Sequence, residues 1–169
     1  MELSELMSKF TKGRVDVISI RPRRRAEVQF LKEVMAVADR GLDGDRYNSR
    51  NGKRQVTLIQ DEHLRAVASF MGKDKIDPGL TRRNIVVSGI NLTSLKGNCF
   101  RIGEALLEYS GECHPCSRME ENLGEGGYNA MRGHGGITAK VIQSGMIREG
   151  DSVVVELQSN SQLRLDQQA

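Results

Sequence analysis

The segment Cys113-His114-Pro115-Cys116 contains the residue types of this sequence that are best suited to chemistry. Two thiols separated by two residues can bind zinc, form a redox-active dithiol, or provide one reactive thiolate that binds a soft metal or carries sulfur. A structural zinc site needs four ligands. The segment supplies only the pair Cys113 and Cys116, so the fold would have to bring Cys99 and His134 to it as the other two. Thioredoxin-like pairs lie early, beside a βαβ pattern, whereas this pair comes late. Spacing alone favours an ordinary pair of buried thiols.

Basic residues form a second group of candidates, because a guanidinium can bind a phosphate through two parallel hydrogen bonds. Scattered arginines on a protein surface are usually just solvated, so any one of them is more simply interpreted as a surface residue than as part of a phosphate site. Its members lie in loops or at the ends of predicted strands, or flank the cysteine segment: Arg46, Lys53, Arg54, Arg82, Arg83, Arg118 and Arg132.

A glycine-rich segment, Gly133-His134-Gly135-Gly136, is the third candidate. Glycine backbone can approach a phosphate closely and donate N–H groups to it. The segment lacks the Gly-Lys-Ser/Thr ending of a P-loop and the spacing of the dinucleotide fingerprint. His134 is either a ligand contact or a turn histidine that faces water.

Short β-like runs separated by turn residues must position these groups. The one convincing helix has Leu64, Val67, Ala68 and Met71 on a single face, with Asp61 as a cap and Gly72 as a stop. Asp77-Pro78-Gly79 predicts a loop, and the periodicity breaks down between Cys113 and Gly136. The predicted extended segments are Val15–Arg21, Glu27–Val37, Arg54–Ile59, Asn84–Ser88, Cys99–Ile102, Ala105–Ser110, Ile137–Ser144 and Ser152–Leu157.

Length and composition favour a single mostly β barrel. The chain has 169 residues, 18 of them glycine, and only 4% are aromatic. That length suits one domain, which we expect over residues 1–157, followed by a flexible tail over 158–169. A net charge of +3 suits a small anionic ligand and is weak for nucleic acid. The arginines between Arg21 and Arg25 are expected at an exposed hairpin tip.

The cellular setting is predicted from the cysteines and the N-terminus. Three cysteines without an apolar leader argue against a secreted disulfide framework. No apolar run is long enough for a transmembrane helix, and no membrane partner is expected. We therefore expect reduced thiols and a cytoplasmic location.

In their order and spacing, these segments resemble the MOSC domain, named for the C-terminal domain of molybdenum-cofactor sulfurase. The resemblance runs from about Val15 to Val155, and Tyr47 stands where many relatives have histidine. It is carried by Gly41-Leu42-Asp43-Gly44-Asp45-Arg46-Tyr47, Arg54–Ile59, Arg82-Arg83-Asn84-Ile85, Arg101–Ala105, Cys113-His114-Pro115-Cys116, Gly135-Gly136 and Gly145–Asp151.

The resemblance implies a β-barrel related to the pyruvate-kinase barrel domain, with one or a few short helices. It also implies binding of the pterin molybdenum cofactor (molybdopterin), with Cys116 as metal ligand or sulfur-carrying thiol. The parent family is also associated with pyridoxal phosphate. The residues expected to hold the cofactor are Arg54, Arg82, Arg83, Asn84, Ser117, Arg118, Arg132, His134 and Gly135.

Three functions stay open at this point. The protein is an enzyme module that transfers sulfur or reduces N-hydroxylated small molecules, a non-catalytic carrier of the cofactor, or a zinc or thiol module without molybdenum. Relatives with reductase activity often carry a further domain for which this chain has no room, so an electron donor would be a separate protein.

Overall fold

The computed structural model describes residues 1–157, and the predicted tail over 158–169 lies outside them. The helices are α1 (Leu3–Met7), α2 (Asp61–Phe70), α3 (Pro78–Thr81), α4 (Ser117–Leu123) and α5 (Gly127–Met131), with a 3₁₀ turn at Leu92–Leu95. The strands are β1 (Gly13–Ile20), β2 (Gln29–Leu31), β3 (Glu33–Val37), β4 (Gly41–Leu42), β5 (Val56–Gln60), β6 (Ile85–Ser88), β7 (Cys99–Ile102), β8 (Ala105–Glu112), β9 (Ile137–Gln143), β10 (Gly145–Arg148) and β11 (Ser152–Glu156).

Seven strands close into a barrel, which confirms the predicted fold class. The order is β11-β7-β8-β9-β5-β6-β1, and β1 returns to β11 through the pairs Gly13 with Val153 and Arg14 with Ser152. Strands β5 and β6 are parallel neighbours, and the chain between them crosses over through α2 and α3. Strand β2 extends the sheet beyond β1, and β10, β3 and β4 form a small second sheet.

Two apolar clusters explain why the helices gather on one side of the barrel. The interior is filled by side chains such as Ile18, Leu58 and Phe100. The second cluster lies outside the wall made by β5 and β6, where α2, α4 and α5 cover it. Because β5 is covered on both faces, all five of its residues are buried. None of the helices within residues 1–157 is long and apolar enough to cross a membrane.

Local differences from the sequence predictions have simple causes. The extended stretch from Glu27 to Val37 divides at Lys32, because β2 pairs with β1 whereas β3 pairs with β10. The loop predicted at Asp77-Pro78-Gly79 begins α3, where the Asp77 carboxylate accepts a hydrogen bond from the Gly79 N–H at 2.9 Å. The irregular segment before Gly136 contains two helices, which are too short to show a periodicity.

Gly136 lies where the backbone that leads into β9 passes very close to the backbone of β5. Its φ is +85°, and an added β-carbon would overlap the carbonyl oxygen of Leu58 and lie 3.0 Å from Ile59 Cα. We predict that Gly136→Ala lowers the free energy of unfolding by about 3–5 kcal/mol, since left-handed strain adds to a backbone clash. The matched control is Gly150→Ala, with φ of +86° but open space around it, which should cost about 1–2 kcal/mol. If urea unfolding shows the same loss of unfolding free energy in both variants, the backbone clash at Gly136 does not contribute.

Candidate functional site

The two cysteines of the loop are unequal, as their positions indicate. Cys113 follows β8 directly, is 2% exposed, and donates its N–H to the Gly136 carbonyl at 2.9 Å. Cys116 is exposed and immediately precedes α4. All three cysteines are free thiols. The prediction of two buried thiols is therefore wrong for Cys116, whose thiol is accessible to a ligand.

Cys116 lies in a strongly basic cavity, which we call the arginine pocket. It encloses about 560 Å³ of space open to solvent. Eight of its lining residues are arginines, and within residues 1–157 no aspartate or glutamate lines it. The lining consists of Arg21, Arg24, Arg25, Arg46, Tyr47, Arg54, Arg82, Arg83, Cys116, Arg118 and Met119.

A buried polar network forms the floor of the arginine pocket. Arg21 and Asp45 make a salt bridge at 3.1 Å with side chains only 4% and 0% exposed. Asn84 connects this pair to the barrel: its amide oxygen accepts from Arg21 Nη2 at 3.0 Å and its amide nitrogen donates to Asp45 Oδ1 at 3.2 Å. Thr57 on β5 donates two further hydrogen bonds to the amide oxygen of Asn84, one from its N–H and one from its hydroxyl group. The floor is therefore fixed before any ligand binds.

Arg83 connects the cysteine loop to the glycine-rich segment. Its buried guanidinium donates to the carbonyl oxygens of Gly135 at 2.8 Å, Thr81 at 2.9 Å and Cys113 at 3.3 Å. Burial lowers the pKa of this guanidinium. Arg83 thus reaches the pocket while most of its hydrogen-bonding capacity holds the backbone that positions Cys116.

The other arginines crowd one another without enough carboxylates to neutralise them. The pKa of Arg82 is lowered first by burial and then by the charges of Arg21, Arg118 and Arg46. Arg118 has Glu121 at 3.5 Å, and Arg82 donates to the Ala26 carbonyl at 2.7 Å. A cluster of like charges of this kind is stabilised when an anion binds among them.

The sequence-predicted cofactor residues fall into two groups. Arg54, Arg82, Arg83 and Arg118 line the arginine pocket with Cys116. Asn84 lies beneath it in the buried network, and Ser117 is the exposed first residue of α4. The structure does not bring Arg132, His134 or Gly135 into the pocket lining.

Gly135 and His134 lie instead near His63. Gly135 lines a second, smaller cavity together with His63 and Cys113. The His134 ring packs edge-on against His63, with centroids 4.8 Å apart, and its Nδ1 lies 2.9 Å from the Arg132 carbonyl oxygen. Burial and then His134 lower the pKa of His63.

Sequence reasoning missed several residues of the pocket: Arg21, Arg24, Arg25 and Tyr47, with Arg46 recognised only as a general basic candidate. The expectation that Arg21 belongs to an exposed hairpin tip is wrong, because it is 3% exposed and paired with Asp45. The prediction of exposure is confirmed for Pro22 through Arg25. The position of Asp45 inside the Gly41–Tyr47 motif was the one available indication of a buried partner for an arginine.

The arrangement of possible metal ligands in the described residues does not support the zinc alternative. Within residues 1–157, no group of three or more His, Cys, Asp or Glu side chains is placed to hold a metal ion. Cys99 lies on β7, where burial and then Glu108 and Glu156 raise the pKa of its thiol. The donor set around Cys116 is instead one thiol surrounded by cations.

Comparison with known proteins identifies the family and the fold of the chain. The family model described as MOSC domain matches residues 38–154. No curated protein matches the chain. The structure is similar to that of the YuaD protein from Bacillus subtilis, with a TM-score of 0.76 at 23% identity over 89% of this chain and 99% of that one.

The YiiM proteins are further structural relatives. YiiM from Geobacillus stearothermophilus has a TM-score of 0.68 at 16% identity, covering 86% of this chain and 75% of that one. YiiM from Escherichia coli has a TM-score of 0.63 at 20% identity, covering 86% and 71%. These likenesses concern the fold, whereas the family model spans more than half of the sequence. The chain belongs to the MOSC domain family.

Proposed function

We propose that this protein binds the pterin molybdenum cofactor in the arginine pocket, with the Cys116 thiol as the metal ligand or sulfur carrier. The observation that carries the proposal is an exposed thiol in a cavity lined by eight arginines. Membership of the MOSC family, which is associated with this cofactor, supports it.

The residues present fit the two chemical ends of such a ligand. Molybdenum favours soft sulfur ligands, and Cys116 offers one accessible sulfur. The cofactor's phosphate suits guanidinium donors, and Arg46, Arg54 and Arg82 line the same cavity. When bound, the metal supplies two-electron transfer of oxygen or sulfur. The chain holds the phosphate with its arginines and orients the Cys116 sulfur through the loop that Arg83 fixes.

Two activities are compatible with this site, and both use the Cys116 thiol. One is reduction of N-hydroxylated small molecules with electrons from a separate donor protein, and the other is transfer of sulfur. The open cavity would admit a small substrate beside the cofactor. A carrier that only stores and delivers the cofactor would need the arginines but not the thiol.

The arginines provide the test of binding. We expect the double variant Arg54→Gln/Arg82→Gln to retain at least tenfold less pterin than the unmodified protein when purified from a host that makes the cofactor. The reason is that charge-assisted bonds to phosphate contribute about 1.5–3 kcal/mol each. Pterin is measured by fluorescence after oxidative release.

The control is Arg132→Gln, because Arg132 is exposed and absent from the pocket lining. It should retain pterin at the unmodified level. If the control loses as much pterin as the double variant, or if the double variant loses none, the arginine pocket is not the binding site.

A further inference from the structure

The Tyr47 ring contacts three of the eight arginines that line the arginine pocket. The guanidinium carbons of Arg21 and Arg46 are each 4.8 Å from its ring centroid, and that of Arg54 is 5.3 Å away. A cation above an aromatic face is attracted by the ring quadrupole at these distances. Three such contacts on one half-buried ring make Tyr47 a shared contact for a large part of the pocket.

The three arginines around this ring differ in how they are held. Arg21 is fixed by its salt bridge to Asp45 and by its bond to Asn84. Arg46 and Arg54 are exposed, and within residues 1–157 neither side chain has an ion pair or a hydrogen bond to protein. The Tyr47 ring is therefore the one specific contact of their guanidinium groups in the described part of the chain.

Tyr47 itself is anchored to the same floor as Arg21. Its N–H donates to Asp45 Oδ2 at 3.2 Å, and the carboxylate of Asp45 also accepts from the Arg21 side chain. The tyrosine side chain, which has only two rotatable bonds before its hydroxyl, lies between this fixed floor and the exposed Arg46 and Arg54. Long arginine side chains lose much conformational freedom when a ligand orders them, so a ring that orders them beforehand lowers that cost.

We infer that Tyr47 is a positioning residue that holds Arg46 and Arg54 ready for the phosphate or diphosphate group of the ligand, and so sets the affinity of the pocket for such anions. This inference rests on the proposed function only in that the pocket must bind a phosphate-bearing ligand. The aromatic face is what matters, whereas the hydroxyl group is dispensable.

Inorganic pyrophosphate binding to the full chain, measured by calorimetry, tests the inference. We expect Tyr47→Leu to weaken binding about tenfold at low salt, as two cation–π contacts are lost. Tyr47→Phe should bind within twofold of the unmodified protein. The dependence of affinity on salt should be shallower for the leucine variant, because fewer ordered cations meet the anion. Thermal unfolding checks that both variants are folded.

The pattern across the variants distinguishes failure of this inference from failure of the proposal on which it rests. Weak binding by both variants would overturn the ring-positioning role, since the hydroxyl would then be the contact. Unchanged binding by Tyr47→Leu, together with a loss in Arg54→Gln/Arg82→Gln, would overturn the role of Tyr47 and leave the arginine pocket intact. Unchanged binding in all three variants would overturn both. If Tyr47→Leu unfolds, Tyr47→Met takes its place as the variant without a ring: about tenfold weaker binding by this folded variant supports the inference, and binding within twofold overturns it.

Discussion

Cys116→Ser should abolish cofactor-dependent turnover of an N-hydroxylated base, by at least about a hundredfold, while the protein stays folded. The alcohol is a poor ligand for a soft metal and cannot carry sulfur. Because residue 116 is exposed, the exchange leaves no cavity in the core. The arginines still hold the phosphate, so pterin content should remain within about twofold of the unmodified protein, on the basis of their charge-assisted bonds. Turnover is followed with a chemical reductant in place of the donor protein.

Cys113→Ser is the matched control for this experiment. Cys113 is buried, and its backbone is hydrogen-bonded to the Gly136 carbonyl and to the Arg83 side chain. The serine variant should therefore lose about 1–2 kcal/mol of stability, because a hydroxyl replaces a buried thiol, but it should keep a substantial part of the activity. Equal loss of activity in both variants would mean that the two thiols act together. Full activity of Cys116→Ser would remove Cys116 from the chemistry.

Asp45→Ala should cause the largest loss of stability at the site, about 3–5 kcal/mol, because it leaves the buried Arg21 charge without its partner. The same carboxylate also accepts hydrogen bonds from the Arg21 N–H at 2.7 Å, from the Tyr47 N–H and from the Asn84 amide. Urea unfolding monitored by circular dichroism gives the free energy.

Asp43→Ala, two residues away, is the control for this loss. Asp43 is exposed and in the described residues its side chain has no hydrogen bond or ion pair, so the change should fall within about 0.5 kcal/mol. A loss at Asp45 no greater than at Asp43 would show that the Arg21 pair contributes little net stability, and that the floor of the pocket is held by Asn84 and Thr57 instead.

The barrel could be predicted because its strands leave local patterns. β1, β7 and β9 mix apolar and polar residues in short segments bounded by turn residues, and the one long helix places Leu64, Val67 and Ala68 on a single buried face. Elements without such patterns were missed. β10 is four residues long and lies between two predicted extended segments, and α5 has only five residues, so neither shows a periodicity.

The site was partly predictable for a different reason. Cys116, Arg54 and Arg82 could be chosen by residue type and by the order of their segments. Arg21 could not, because only the fold brings Asp45 and Asn84 to it from 24 and 63 residues away. In the same way, the fold places the His134 ring against His63 and leaves both Arg132 and His134 out of the lining of the arginine pocket. The limits of the domain at residue 157 and the cytoplasmic location stay predictions.

The molybdenum and zinc content of the unmodified protein tests the central claim most directly. The protein is purified from a host that makes the cofactor, and both metals are measured per chain by mass spectrometry alongside released pterin. The proposed function predicts close to one molybdenum and one pterin per chain, with zinc well below stoichiometry. One zinc per chain, with neither molybdenum nor pterin, would contradict it.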